Sequence, residues 1–168
     1  EGHIVNLSVP WEKINYSQAI LEKTGQDITK DSMPARELDQ LWKSVRKSIA
    51  GPAFLVGHPV EVSPLAKRNP DNSKFVERYQ VIIAGSEMGN GYSELNDPLD
   101  QAERFAQQQA MREAGDEEAQ MNDADFVTAL EYGMPPVTGF GVSERLFSFL
   151  ANLPIRETVL FPLLRPEK

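Results

Sequence analysis

Residues 87–98 read EMGNGYSELNDP, and this run of polar, aromatic and glycine residues decides how the rest of the chain is interpreted. In an extended strand successive side chains point to opposite faces, so Asn90, Tyr92 and Glu94 would share one face. Such a face suits a ligand with a long cationic side chain. Glu94 would meet the charge and Tyr92 would cover the aliphatic stem, with Asn90 hydrogen-bonding beside it. The same residue types are also usual in an exposed turn, and the run alone leaves both interpretations open.

A helix start follows this run directly, because Asp97 can cap a helix and Pro98 can take its first position. That helix is expected to stop near Gly115. The pattern of apolar residues predicts further helices and strands. The predicted helices lie at 16–24, 33–51, 123–132 and 143–151, and the predicted strands lie at 53–56, at 75–84 and from residue 139. The absence of a βαβ rhythm predicts an α+β fold, an antiparallel β-sheet flanked by helices.

Composition narrows the class of protein. The chain has 168 residues, enough for one domain with a real core, and its apolar runs are all shorter than a membrane span. The first residues lack the basic and apolar blocks of a signal peptide, and cysteine is absent, so we expect a cytoplasmic protein that uses no disulfide and no thiol chemistry. A net charge of −8 argues against a strong grip on nucleic acid by this chain itself.

The run at 87–98 resembles the lysine-recognition strand of class II lysyl-tRNA synthetases. Further stretches resemble the same family in the same order. They are HPVEVSPLAKR at 58–68, ALEYGMPP at 129–136, GFGVSERL at 139–146, and a closing segment from IRE at 155–157 through FP at 161–162 to RP at 165–166. One such match would be weak, but five in order are a strong signal. The resemblance implies that residues 1–52 are a helical segment leading into the catalytic domain and that residues 53–168 are the C-terminal part of that domain.

The resemblance also implies roles for the residues at 87–94. In the family the glutamate matching Glu94 contacts the ε-ammonium of lysine, and the residues matching Asn90 and Tyr92 line the same pocket. The residue matching Glu87 helps to hold Mg²⁺ on ATP, and a second acid of the family falls on Gln80. Glu87 lies seven residues before Glu94 and would face the opposite side of a regular strand, so a bulge or the Gly89 and Gly91 positions would have to redirect it if both acids share a site.

The segment Gly139, Gly141, Arg145 resembles the third signature motif of class II synthetases. There the glycines allow close approach of the backbone and the arginine holds the phosphates of ATP, which makes Arg145 the predicted catalytic side chain. A Gly-x-Gly before a helix is common, and this copy is one residue shorter than usual, with Ser143 in place of a third glycine. His3 and His58 are too isolated in the sequence to indicate a metal site.

The resulting hypothesis is a lysine-tRNA ligase, represented by a C-terminal fragment of its catalytic domain. The resemblance implies ATP and Mg²⁺, lysine and tRNA(Lys) as ligands, with tRNA bound mainly by parts outside this chain, and a homodimer in full-length form. The fragment alone is predicted not to aminoacylate. Two alternatives remain open: a paralogue that attaches lysine to a protein, and a non-catalytic synthetase-like module that binds lysine or a partner.

Overall fold

The computed structural model describes residues 4–30, 33–115, 119 and 121–161. Within these residues the helices and strands follow in a mixed order. They are β1 (Glu12–Asn15), α1 (Tyr16–Thr24), α2 (Ala35–Arg46), β2 (Ala53–Val56), a 3₁₀ turn (Val60–Val62), β3 (Arg78–Ile83), β4 (Ser86–Ser93), α3 (Pro98–Glu113), α4 (Ala124–Glu131), β5 (Thr138–Val142), α5 (Glu144–Ala151) and α6 (Ile155–Thr158). The predicted helices and strands are therefore confirmed, with shorter ends, while β1 and α6 were not predicted.

The described strands form one five-stranded sheet in the order β1-β2-β3-β4-β5. Neighbouring strands from β2 to β5 are antiparallel, as predicted, but β1 runs parallel to β2. A parallel pair needs a long connection, and here α1 and α2 supply it. The fold class is thus α+β, with a mixed rather than purely antiparallel sheet.

Helices α1 and α2 cover one face of the sheet. On α2 the residues Leu38, Trp42 and Val45 recur on one stripe and are buried. Trp42 and Val45 join a core that includes Tyr16, Ile20, Leu55 and Ile82. This core contains residues from both sides of position 52, so the predicted 1–52 segment packs onto the 53–168 segment. The division into these two parts remains a prediction.

Helix α2 ends at Arg46, whereas the sequence predicted an end at Gly51. The backbone carbonyls of Ile49 and Ala50 accept hydrogen bonds from Gly85 and Ala84, in the turn between β3 and β4. These residues therefore leave the helix because their carbonyl groups bind the turn of the sheet.

Helix α5 packs on the opposite face of the sheet. Its residues Leu146 and Phe149 contact a second core formed by Val81, Ile83 and Met88. Among the described residues, no helix has the length and apolar character needed to cross a membrane.

Candidate functional site

A β-bulge in β4 sets which side chains face the site. The pairing with β3 shifts between Val81 and Ile82, so that Val81 lies opposite Gly89 while Ile82 lies opposite Glu87. Met88 is the extra residue, and its side chain is buried in the core beneath α5. The bulge therefore turns Glu87 to the face that carries Asn90 and Tyr92. The sequence predicted that a bulge or the glycine positions would be needed to redirect Glu87, and the structure contains a bulge.

The three residues of the predicted lysine pocket lie at the end of this face. Asn90 and Tyr92 are in β4, and Glu94 follows it, with its backbone N–H donating to the carbonyl of Val137 at 3.0 Å. A Cβ on Gly139 would lie 3.2 Å from Oε1 of Glu94, so the carboxylate rests against the backbone of β5. Burial raises the pKa of Tyr92, and the nearby Glu94 charge raises it further.

Arg78 is a member of the face that sequence reasoning missed. It lies opposite Tyr92, and its Nε donates to Oδ1 of Asn90 at 2.8 Å. Its Nη1 donates to the carbonyl of Val62 and to Oγ of Ser63, at 2.8 and 2.9 Å. Burial lowers the pKa of Arg78, which the negative charge of Glu87 partly offsets. The signal in the sequence was a cation at the start of a strand that ends in three apolar residues.

Glu87 is held by three donors from two elements. Its Oε1 accepts from Nε1 of Trp42 at 3.3 Å and from Nη1 of Arg46 at 3.0 Å, both on α2. Its Oε2 accepts from Nε2 of Gln80 at 3.1 Å. Each carboxylate oxygen of Glu87 thus already accepts a hydrogen bond from a protein donor.

The hydrogen-bond chain continues from Gln80 to His58. Oε1 of Gln80 lies 3.1 Å from Nε2 of His58, and His58 is fully buried. Burial, together with the charge of Arg78, lowers the pKa of His58 to about 4. His58 is therefore neutral at pH 7, and because Gln80 donates to Glu87, the Nε2–H of His58 is assigned as donor to Gln80.

This geometry does not form a metal site by itself. In the part of the chain that the structure describes, no group of three or more His, Asp or Glu side chains could hold a metal ion. Gln80 stands where the resemblance places a second acid, and an amide that donates to Glu87 cannot share a cation with it. His3 lies outside the described residues.

The glycines of β5 lie opposite the pocket residues. Gly141 pairs with Asn90 and Gly139 pairs with Tyr92, so the β5 side of the face carries no side chain at these positions. Arg145 lies in the first turn of α5, where its backbone N–H donates to the capping Oγ of Ser143 at 3.2 Å. Its side chain is exposed and, within the described residues, forms no hydrogen bond with Glu87 or the pocket residues. The structure therefore brings together the predicted residues except Arg145.

A cleft of about 950 Å³ opens over the Glu87 end of the face. It is bounded by Arg78, Gln80 and Glu87 below, by α2 on one side and by the end of α3 on another. It lies beside the Asn90, Tyr92 and Glu94 pocket rather than over it. The face thus offers a short pocket with a carboxylate at one end and a larger cleft with arginines at the other.

Loop 63–68 is fixed beside the pocket by a buried arginine. Nη1 of Arg104 donates to the carbonyls of Ser63 and Ala66 at 3.1 and 2.7 Å. Arg104 also binds Asp100 through two hydrogen bonds of 2.8 and 2.9 Å. Ala66 in turn forms an antiparallel bridge with Glu94. The loop is thereby held against the residue predicted to meet the lysine charge.

The sequence was compared with known proteins. The profile of the family described as tRNA synthetases class II (D, K and N) matches residues 1–165. The lysine–tRNA ligase of Thermosipho africanus is 44% identical over 182 positions, which cover 96% of this chain and 36% of that protein. That of Thermotoga maritima is 40% identical over 188 positions, covering 100% and 38%, and that of Bacillus subtilis is 40% identical over 184 positions, covering 96% and 37%.

These matches confirm the resemblance predicted from the five stretches. The chain spans less than two fifths of the length of these relatives. Its mixed five-stranded sheet with helices on both faces, within the described residues, is its share of the family's domain. The chain belongs to the class II tRNA synthetase family.

Proposed function

We propose that this chain is the C-terminal part of the catalytic domain of a lysine–tRNA ligase, with residues 1–52 as the segment leading into it. The observation that carries the proposal is the convergence of Asn90, Tyr92 and Glu94 beside the bare backbone of Gly139. In the proposed reaction the lysine carboxylate attacks the α-phosphate of ATP to give lysyl-adenylate and pyrophosphate. The lysyl group then moves to a hydroxyl of the terminal ribose of tRNA(Lys), and AMP leaves.

Selection of lysine would rest on Glu94. A carboxylate at the end of a narrow pocket is stabilised by a ligand ammonium, and a neutral ligand leaves the carboxylate without a partner. The aromatic ring of Tyr92 would pack on the aliphatic stem. Arg78 holds Oδ1 of Asn90, which leaves the amide Nδ2 of Asn90 to donate to an acceptor atom of the ligand.

ATP would occupy the larger cleft, whose arginines suit phosphate groups. Of the residues predicted for ATP, Glu87 lines this cleft, whereas Gly139, Gly141 and Arg145, the predicted catalytic cation, lie outside its lining. Mg²⁺ would arrive with ATP. Both oxygens of Glu87 already accept hydrogen bonds from protein donors, so we assign no catalytic step to a metal held by this side chain. Positioning and charge stabilisation would carry the reaction, because no side-chain nucleophile is needed.

The partners and location follow from the same proposal. With a net charge of −8 this chain is a poor binder of polyanions, so tRNA(Lys) would contact mainly other parts of the full-length protein. A homodimer in the cytoplasm is expected for that protein.

Lysine binding by the 168-residue chain tests the proposal. Calorimetry should show that the chain prefers lysine to norleucine, which has the same stem without the ammonium. Glu94→Gln should weaken lysine binding roughly ten- to a hundredfold, the worth of one charged hydrogen bond. Glu103→Gln, which removes the same charge from an exposed position on α3, is the matched control. Equal affinity of the two variants, or equal binding of lysine and norleucine, would contradict the proposal.

A second candidate is a non-catalytic lysine-binding module. It is favoured by Gln80 and by the pairing of both oxygens of Glu87 with protein donors. Such a module would bind lysine with an affinity that ATP and Mg²⁺ do not change. The full-length protein distinguishes the two, since a ligase shows lysine-dependent exchange of pyrophosphate into ATP and a module shows none.

A further inference from the structure

The partners of Glu87 form a set that the proposed function does not use. Arg46 and Trp42 reach Glu87 from α2, and Gln80 reaches it from the neighbouring strand. The Arg46 to Glu87 contact is an ion pair of 3.0 Å in which the side chains are 23% and 30% exposed. A half-buried pair with these added donors is far better ordered than a surface ion pair.

Two arginines already offset the charge of Glu87 without a metal. Arg46 is in direct contact, and Arg78 on β3 interacts electrostatically with Glu87. The other side chains in the hydrogen-bond chain that starts at Glu87 are Gln80 and neutral His58, and neither carries a charge. A divalent cation ligated by Glu87 would stand beside the fixed charge of Arg46, and it would also compete with the existing donors for the oxygens of Glu87.

Position 80 completes this arrangement. Nε2 of Gln80 donates to Glu87 while Oε1 of Gln80 faces Nε2 of His58, so the amide uses both of its ends. A glutamate at position 80 would place a second carboxylate beside that of Glu87, at about the present distance between Nε2 of Gln80 and Oε2 of Glu87. Two carboxylates so close require a cation or a shared proton. The amide removes that requirement.

We propose that Arg46 is the positioning residue of Glu87, and that Arg46 and Gln80 together supply the countercharge and hydrogen bonds that make a protein-held metal ion unnecessary at this site. The inference deepens the proposed function and rests on it only in assigning the adjoining cleft to ATP. The prediction that Glu87 ligates Mg²⁺ is its direct rival.

The test is Mn²⁺ binding to the 168-residue chain, measured by the relaxation rate of water protons without lysine or ATP. The wild-type chain should show no Mn²⁺ binding that depends on Glu87. The double variant Arg46→Gln with Gln80→Glu should gain a Mn²⁺ site, binding roughly tenfold or more tighter than wild type. Arg46→Lys with Gln80→Glu keeps a cation and should bind Mn²⁺ more weakly than the Arg46→Gln pair. Arg36→Gln with Gln80→Glu is the matched control, since Arg36 lies on α2, lines the same cleft and is exposed.

Two results would overturn the proposal. One is Mn²⁺ binding by the wild-type chain that Glu87→Gln abolishes. The other is a double variant that stays folded by circular dichroism and gains no Mn²⁺ site. The positioning role has its own readout, the indole N–H resonance of Trp42, which donates to Glu87. Arg46→Gln should shift this resonance from its wild-type position, and Arg46→Lys should bring it largely back to that position. If the resonance moves in neither variant, the positioning role is contradicted, whatever the stability of the variants. None of these measurements involves lysine, so the failure of the lysine-binding test would be a separate result.

Discussion

Replacing Arg104 by methionine should destabilise the fold more than any surface charge change. The Arg104 side chain is 2% exposed and the Asp100 side chain 15% exposed. The substitution keeps much of the apolar stem but removes the guanidinium. It breaks two hydrogen bonds to Asp100 and leaves the carbonyls of Ser63 and Ala66 without this donor.

The size of the effect follows from these contacts. Breaking a buried ion pair by removing one partner costs about 3–5 kcal/mol. Asp100 keeps the two hydrogen bonds from Arg68, at 2.9 and 3.0 Å, so its charge is not left alone. We therefore expect the lower end, a loss of about 3 kcal/mol in the free energy of unfolding. At about 2–4 °C per kcal/mol for a domain of this size, the midpoint of thermal unfolding should fall by roughly 6–12 °C.

Urea unfolding followed by tryptophan fluorescence measures this loss. Arg68→Met is the matched control, because it removes the other arginine from Asp100 at a side chain that is 35% exposed. The control should lose about 1 kcal/mol or less. If Arg104→Met loses no more than Arg68→Met, the burial argument is wrong.

The same cluster predicts a pH dependence. Burial alone would raise the pKa of Asp100, but hydrogen bonds and charge from Arg104 and Arg68 outweigh burial and hold the pKa below its usual range. A lowered carboxyl pKa stabilises the fold above the unfolded-state value of about 4, and this stabilisation is lost as the pH falls through the folded-state pKa. The difference in unfolding free energy between wild type and Asp100→Asn should therefore be full at pH 7 and shrink below pH 4.

Three further predictions can be checked directly. Gly91→Ala should lower the free energy of unfolding by about 1–3 kcal/mol in a urea titration. The added methyl would lie 2.7 Å from the ring of Tyr79, which stacks on Phe140. Gly141→Ala should change little, because the atom nearest to its methyl lies 3.9 Å away. The imidazole of His58 should titrate near pH 4 by NMR, because burial lowers its pKa. Its contribution to the free energy of unfolding should be full above about pH 6.5 and decline as the pH falls toward 4. A titration midpoint near pH 6.5 would contradict its buried, neutral state. The 168-residue chain alone should show no lysine-dependent exchange of pyrophosphate into ATP, and measurable exchange would refute the prediction that the fragment is inactive.

Local signals predicted the helices well. Asp97 caps α3 through its side chain, with Pro98 in the first turn, as the sequence indicated. Asn15, which was not predicted to cap α1, accepts from the backbone N–H of Gln18 at 3.1 Å. Such signals act over a few residues, so they can be read without knowledge of the fold.

Features that depend on distant partners could not be predicted. Strand β1 reads EKIN, with no apolar alternation, and is a strand only because β2 pairs with it from position 53 onward. Arg46 and Glu87 are 41 residues apart, and nothing near either one indicates the contact. The bulge at Met88 was inferred only as a condition for Glu87 to share the face. The predicted pocket residues could thus be placed on one face from the sequence, but Arg78 and the contacts of Glu87 required the structure.

The extra residue in β4 also bears on which genetic changes this gene can tolerate. Substitutions of Met88 by another apolar residue alter packing alone. Deleting the codon instead removes the bulge and the buried Met88 side chain, but regular alternation would keep Glu87 opposite Ile82 and on the face that carries Asn90. Loss of this codon would therefore act on the core beneath α5, whereas the direction in which Glu87 points would be preserved.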